Sequence, residues 1–90
     1  MKYSVELTET EDMALSYAAV DQQAWVSNAV HNRCRIAIDE IVKIAVEKFI
    51  AAGESTPASK EEIVFEAFDR GWVKPAKQVN EEISKSLETW

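Results

Sequence analysis

Glycine and proline are nearly missing from this chain: two of each stand in 90 residues. Without breakers there is little material for loops or tight hairpins, and a chain of this kind is expected to be helical. Glycine-rich phosphate-binding loops need more glycines than the two present. Cysteine occurs once, so no internal disulfide is expected, and a reducing compartment is compatible with the chain. Histidine also occurs once. No apolar run approaches the ~20 residues that cross a bilayer, and the opening residues Met1 to Glu6 turn acidic at once, unlike a signal peptide. A soluble protein with no membrane partner is expected. Basic excess is missing too: ten Lys and Arg stand against sixteen Asp and Glu, a net charge of −6. Phosphate contacts need clustered cations, so no nucleic-acid partner is expected.

What is present is ordinary for a folded domain: 47% hydrophobic and 29% charged residues. The length fits a single helical domain over 1–90, with no room for a second core. Charge is uneven along the chain. Residues 1–21 carry five acids and one base, residues 22–52 three acids and four bases, and residues 53–90 eight acids and five bases. The middle segment is the least acidic and most apolar, which suits a core element wrapped by acidic neighbours.

The pattern predicts an all-α fold: a short extended arm over 1–7 and four helices over 9–19, 22–52, 60–70 and 76–89, packed as a helical bundle. Tyr3, Val5 and Leu7 alternate with polar residues, as in a short strand, but the rest of the chain offers no strand partner. The arm is expected to pack on the helices or to pair with another molecule. Thr8 and Glu11 have capping-box spacing, and Glu9, Glu11 and Asp12 suit the positive end of a helix dipole. Asp21 caps the next helix. In that helix Val26, Val30, Cys34, Ala37, Ile41, Ala45 and Phe49 form one stripe, with Ile38, Val42, Val46 and Ile50 beside it. Gly53 is its C′ residue. Ser59 and Glu62 form a second capping box, Ile63, Val64, Ala67 and Phe68 an apolar face, and Gly71 a stop. Trp72 and Val73 turn back onto the core, and Pro75 opens the last helix. Val79, Ile83, Leu87 and Trp90 make a narrow apolar seam on an otherwise polar helix.

The 22–52 helix would be roughly 46 Å long, against a diameter of roughly 30 Å for a compact domain of this size. Either it breaks near Ser27-Asn28 or His31-Asn32, which are poor helix formers, or a second copy buries what projects. A homo-oligomer is the expectation, with Tyr3, Val5, Leu7, Val79, Ile83, Leu87 and Trp90 as partner-interface residues.

No catalytic, cofactor or metal site is expected. His31 and Cys34 are three apart and share a helix face, but structural zinc needs four ligands and the chain offers no further His or Cys. The simpler reading places Cys34 in the core as a small hydrophobe with His31 at its edge. Catalysis by the pair lacks any oxyanion-hole element. Asp39-Glu40 lacks the histidine spacing of di-metal bundles. Arg33 and Arg35 are read as a solvated face or as partners of the acidic first helix. The third helix, Gly71 and the fourth helix have helix-turn-helix order, but the fourth offers Glu81, Glu82 and Glu88 against Lys77 and Lys85, which does not suit phosphates. Trp25 and Trp72 are expected core anchors. Trp90 either packs back or anchors a partner.

The run from Tyr3 to Glu54, with the Ala24 to Val42 stretch AWVSNAVHNRCRIAIDEIV at its centre, then Pro57 to Val64 and Gly71-Trp72-Val73-Lys74, resembles small proteins of tailed phages and prophages, including cyanophages. The resemblance covers about residues 3–75, and the fourth helix lies outside its specific part. That group has no established activity, so no catalytic residue carries over. The resemblance implies a phage-encoded protein located in the virion or the host bacterial cytoplasm. Its partners would be itself, a larger virion protein or a host protein. The leading expectation is a non-enzymatic structural or assembly protein acting by helical self-association. The alternative is a host-directed regulatory binder using an acidic helical surface.

Overall fold

The computed structural model describes residues 1–88 and is all-α. Four helices follow an irregular segment 1–8: α1 (Glu9–Ala18), α2 (Gln22–Ala52), α3 (Lys60–Asp69) and α4 (Ala76–Glu88). No described residue forms a strand. Trp90, expected at an interface, lies outside the described residues.

Each helix boundary has a local cause. At α1 the Thr8 hydroxyl accepts from Glu11 N–H at 3.2 Å while Thr8 N–H donates to the Glu11 carboxylate at 3.0 Å, a complete capping box. These bonds hold the Glu11 carboxyl below the ordinary glutamate value of 4.5, with the Thr8 backbone bond the larger cause. Asp21 Oδ1 accepts from Ala24 N–H at 3.1 Å at the start of α2. Ser59 accepts from Glu62 N–H at 3.1 Å, but no returning bond from Glu62 to Ser59 N–H is present among the described residues. That corner is a single cap and not the expected box.

Both glycines do the same work. Gly53 (φ 69°) and Gly71 (φ 72°) are left-handed C′ residues. Glu54 N–H bonds back to Phe49 C=O at 3.0 Å and Gly53 N–H to Ile50 C=O at 3.0 Å. Trp72 N–H reaches Ala67 C=O at 2.9 Å and Gly71 N–H reaches Phe68 C=O at 3.1 Å. Each pair of bonds is a Schellman motif.

α2 is helical through Ser27-Asn28 and His31-Asn32. Of the two alternatives read from the length of this helix, the break is not taken. Propensity differences of a few tenths of a kcal/mol per residue do not outweigh helix continuity on both sides.

Contacts within the chain group into two units, Met1–Arg35 and Ile36–Trp90. The second holds the core. Ala45 and Phe49 of α2 and Ile63 and Ala67 of α3 are buried, with Ile41, Val42, Trp72 and Val73 packed against them. Phe49 and Trp72 meet edge to face, with centroids 4.8 Å apart at 84°. Two contacts set the direction of α3. Lys60, at its start, pairs with Asp39 at 2.9 Å, and Arg70, at its end, pairs with Glu54. α3 therefore runs parallel to α2, and linker 53–59 retraces the helix to reach its start. Asp39 precedes Ala52 by about 13 residues, so that return covers ~20 Å. Seven extended residues reach about 23–25 Å.

The first unit has one buried residue, Ala19. α1 buries none, and Leu15, Gln22 and Val26 are half-buried. An isolated ten-residue helix is marginal in water, so α1 leans on its cap. Thr8→Ala is expected to cost α1 about 1 kcal/mol. Amide exchange over α1 should accelerate roughly fivefold by that measure, with exchange over α3 unchanged. The Glu11 bonds contribute fully above pH 4.5 and are lost as pH falls through the lowered folded value, so acid should open α1 in the same way. Unchanged exchange in Thr8→Ala would show that burial, not the cap, holds α1.

Candidate functional site

The interface residues expected from sequence fall in two places. On α4, Val79, Ile83 and Leu87 are 40%, 54% and 70% exposed, and no residue of α4 with a described side chain is buried. The wheel of α4 separates apolar from polar more sharply than any other helix of the chain. Pro75 C=O accepts from Val79 N–H at 3.2 Å, and Lys74 Nζ grips Glu82 at 3.1 Å, fixing the first turns. The lysine bond, then the Gln78 amide, holds the Glu82 carboxyl below its usual range. The first turns of the helix are thus fixed on its polar side, while the seam residues stay exposed among the described residues.

On the arm, Tyr3, Val5 and Leu7 are all exposed. The arm lines, with α1 and the first turns of α2, an open depression of about 840 Å³. The arm lies beside the helices, one of the two expectations, but residues 1–8 form no strand and the apolar side chains of the arm are not buried there.

Two further expectations are corrected. Cys34 is exposed, and so is His31. The stripe is buried only at Ala45 and Phe49, because α3 covers that end of α2 while nothing in the first unit covers Val30 or Cys34. Trp25 is 49% exposed rather than a core anchor. Trp72 does pack on the core, as expected. Arg33 and Arg35 lie on an exposed face, the first of their two readings; among the described residues, the ion pairs all lie beyond Arg35.

Arg70 carries a role the sequence did not announce. Its Nε donates to Glu66 at 3.0 Å and its Nη1 to Glu54. Its guanidinium lies 5.0 Å from both the Phe49 and the Trp72 ring centroids. The Glu54 and then the Glu66 hydrogen bonds push its pKa up. One planar cation thus ties the end of α2, α3 and Trp72 together. The i, i+4 spacing of Glu66 and Arg70 was the only local signal for it.

Among the described residues no group of three or more His, Cys, Asp or Glu side chains converges as a metal site would require. No helix among them is long and apolar enough to cross a membrane. Exposed large hydrophobic side chains lie on the arm and on all four helices, among them Tyr3, Tyr17, Trp25, Phe65 and Leu87. No family model, curated protein or solved structure matches the chain.

Proposed function

We propose that this chain is a non-enzymatic, phage-encoded structural or assembly protein that acts by helical self-association, with the α4 seam as its main adhesive face. The observation that carries this reading is the seam itself: Val79, Ile83 and Leu87 line one side of α4, and all three stay exposed among the described residues. An amphipathic helix whose apolar side is open is stabilised by a second helix laid along it. Tyr3, Val5 and Leu7 offer a second, smaller apolar edge. The phage assignment rests on the resemblance of the Ala24 to Val42 stretch to tailed-phage proteins.

The test is solution mass by light scattering at micromolar and tenfold lower concentration. Wild-type chain is expected to be dimeric or larger. Ile83→Asp is expected to weaken the assembly by about 2 kcal/mol, roughly 30-fold in Kd. A monomer at both concentrations would refute self-association. Mass spectrometry of purified particles, expected to find the chain at many copies per virion, tests the structural role.

A second reading, a host-directed regulator, is favoured by the exposed acids Glu9, Glu11 and Asp12 at one end of α1. It predicts a chain absent from particles and recovered with a host protein.

A further inference from the structure

The first unit is a folded segment almost without a core. Below about 40 residues a unit leans on disulfides, metals or association to stay folded. This one runs from Met1 to Arg35 and buries only Ala19. Its single cysteine makes no internal bridge, and no metal-binding group appears among the described residues. Beside the Thr8 cap and the continuation of α2 past Arg35, association is a further means of holding such a segment, and two exposed lines of side chains show how it would work.

On α1, Glu9, Met13 and Tyr17 are spaced by four and share one face. All three are exposed, Tyr17 almost completely. On α2, Trp25, Ala29 and Arg33 are likewise spaced by four and exposed. Both lines are open to solvent, while the less exposed side chains of this unit are Leu15, Ala19, Gln22 and Val26. Laid antiparallel, the two lines match position by position. Glu9 meets Arg33, Met13 meets the small Ala29, and Tyr17 meets Trp25. Each line spans eight residues, so both are ~12 Å long. The match is an ion pair, a large side chain over a small one, and an aromatic pair.

We infer that α1 of one copy docks on the start of α2 of a second copy, reciprocally about a twofold axis, forming a four-helix contact from two chains. The matched charges favour a second copy as the occupant. A twofold interface places residue i against j and j against i, and this surface carries its own complement: an acid at the far end of one line and a base at the far end of the other. The contact deepens the self-association reading by adding a second surface, and so rests on that reading.

Charge exchange in the full-length chain tests it. Glu9→Lys alone and Arg33→Glu alone should each weaken the dimer by about tenfold in Kd, through two lost pairs and new repulsion. An equal mixture of the two variants should recover most of that loss as a heterodimer. Proximity is read independently by Met13→Cys with Ala29→Cys in a Cys34→Ser background. Oxidation should give a chain-to-chain crosslink at twice the monomer mass on a non-reducing gel. If neither charge variant moves the Kd and no crosslink forms, while Ile83→Asp still dissolves the assembly, the α1–α2 contact is overturned and the α4 seam stands. If Ile83→Asp leaves the dimer intact and the charge variants dissolve it, the contact stands and the α4 seam falls. A wild-type monomer overturns both.

Discussion

Phe49→Ala is expected to unfold the second unit. Among the described residues Phe49 is the one large side chain that is fully buried, at 2% exposure. Truncating a buried Phe costs about 3–5 kcal/mol in lost burial and in the cavity left behind. The Phe49–Trp72 edge contact and the face that receives the Arg70 guanidinium go with it. At about 0.05–0.15 kcal/mol per residue, a unit of roughly 50 residues has only about 3–8 kcal/mol of stability to lose. Chemical denaturation followed by Trp72 fluorescence in a Trp25→Phe, Trp90→Phe background should find the midpoint shifted towards zero denaturant. A midpoint within a few tenths molar of the parent would mean that the core lies elsewhere.

Ala67→Leu is expected to destabilise nearly as much, for the opposite reason. Ala45 and Ala67 are both fully buried, so α2 and α3 approach closely where neither helix carries a large side chain. The Ala67 carbonyl also receives Trp72 N–H at 2.9 Å and Val73 N–H at 3.4 Å. A leucine at this position has no void to fill and must push α3 away from α2. Overpacking of this kind costs about 1–3 kcal/mol. Displacing α3 also pulls on the turn that seats Trp72, so the upper end of that range is expected. Ala51→Leu, on an exposed part of α2, is the control and should stay within about 0.5 kcal/mol. Thermal melts of the two variants in parallel distinguish crowding from a change in helix propensity. Equal melting temperatures would refute close packing at Ala67.

The features legible in the sequence were those with local causes. Thr8, Asp21 and Ser59 cap helices because their oxygens reach an N–H three residues on, and Gly53 and Gly71 end helices because they accept a left-handed backbone. The order of the four helices followed from spacing, while the continuity of α2 through Asn28–Asn32 was left open by it. Burial was harder to read. Val30 and Cys34 have the same four-residue rhythm as Ala45 and Phe49, yet only the latter pair is buried. Periodicity tells which residues share a face, while another element, distant in sequence, decides whether the face is covered. Trp25 was misplaced for that reason. Arg70 was missed because Phe49 and Glu54, far from it in sequence, come beside it only after folding. The α4 seam needed no tertiary information: it was visible as spacing.

The parallel run of α3 beside α2 makes linker 53–59 a ruler. Its seven residues span a return of ~20 Å and have little slack. Lengthening it is inexpensive, since doubling a flexible loop adds only about 0.6 kcal/mol of closure entropy. Shortening it is different in kind. With about three residues removed, the remaining chain reaches only about 14 Å, and Lys60 can no longer arrive beside Asp39. A chain shortened in this way would have to turn α3 over, exchanging the parallel pair for an antiparallel hairpin and carrying Arg70 away from both rings. Insertions here should therefore be neutral and deletions should change the topology, an asymmetry that marks this linker as the place where the fold's handedness is set.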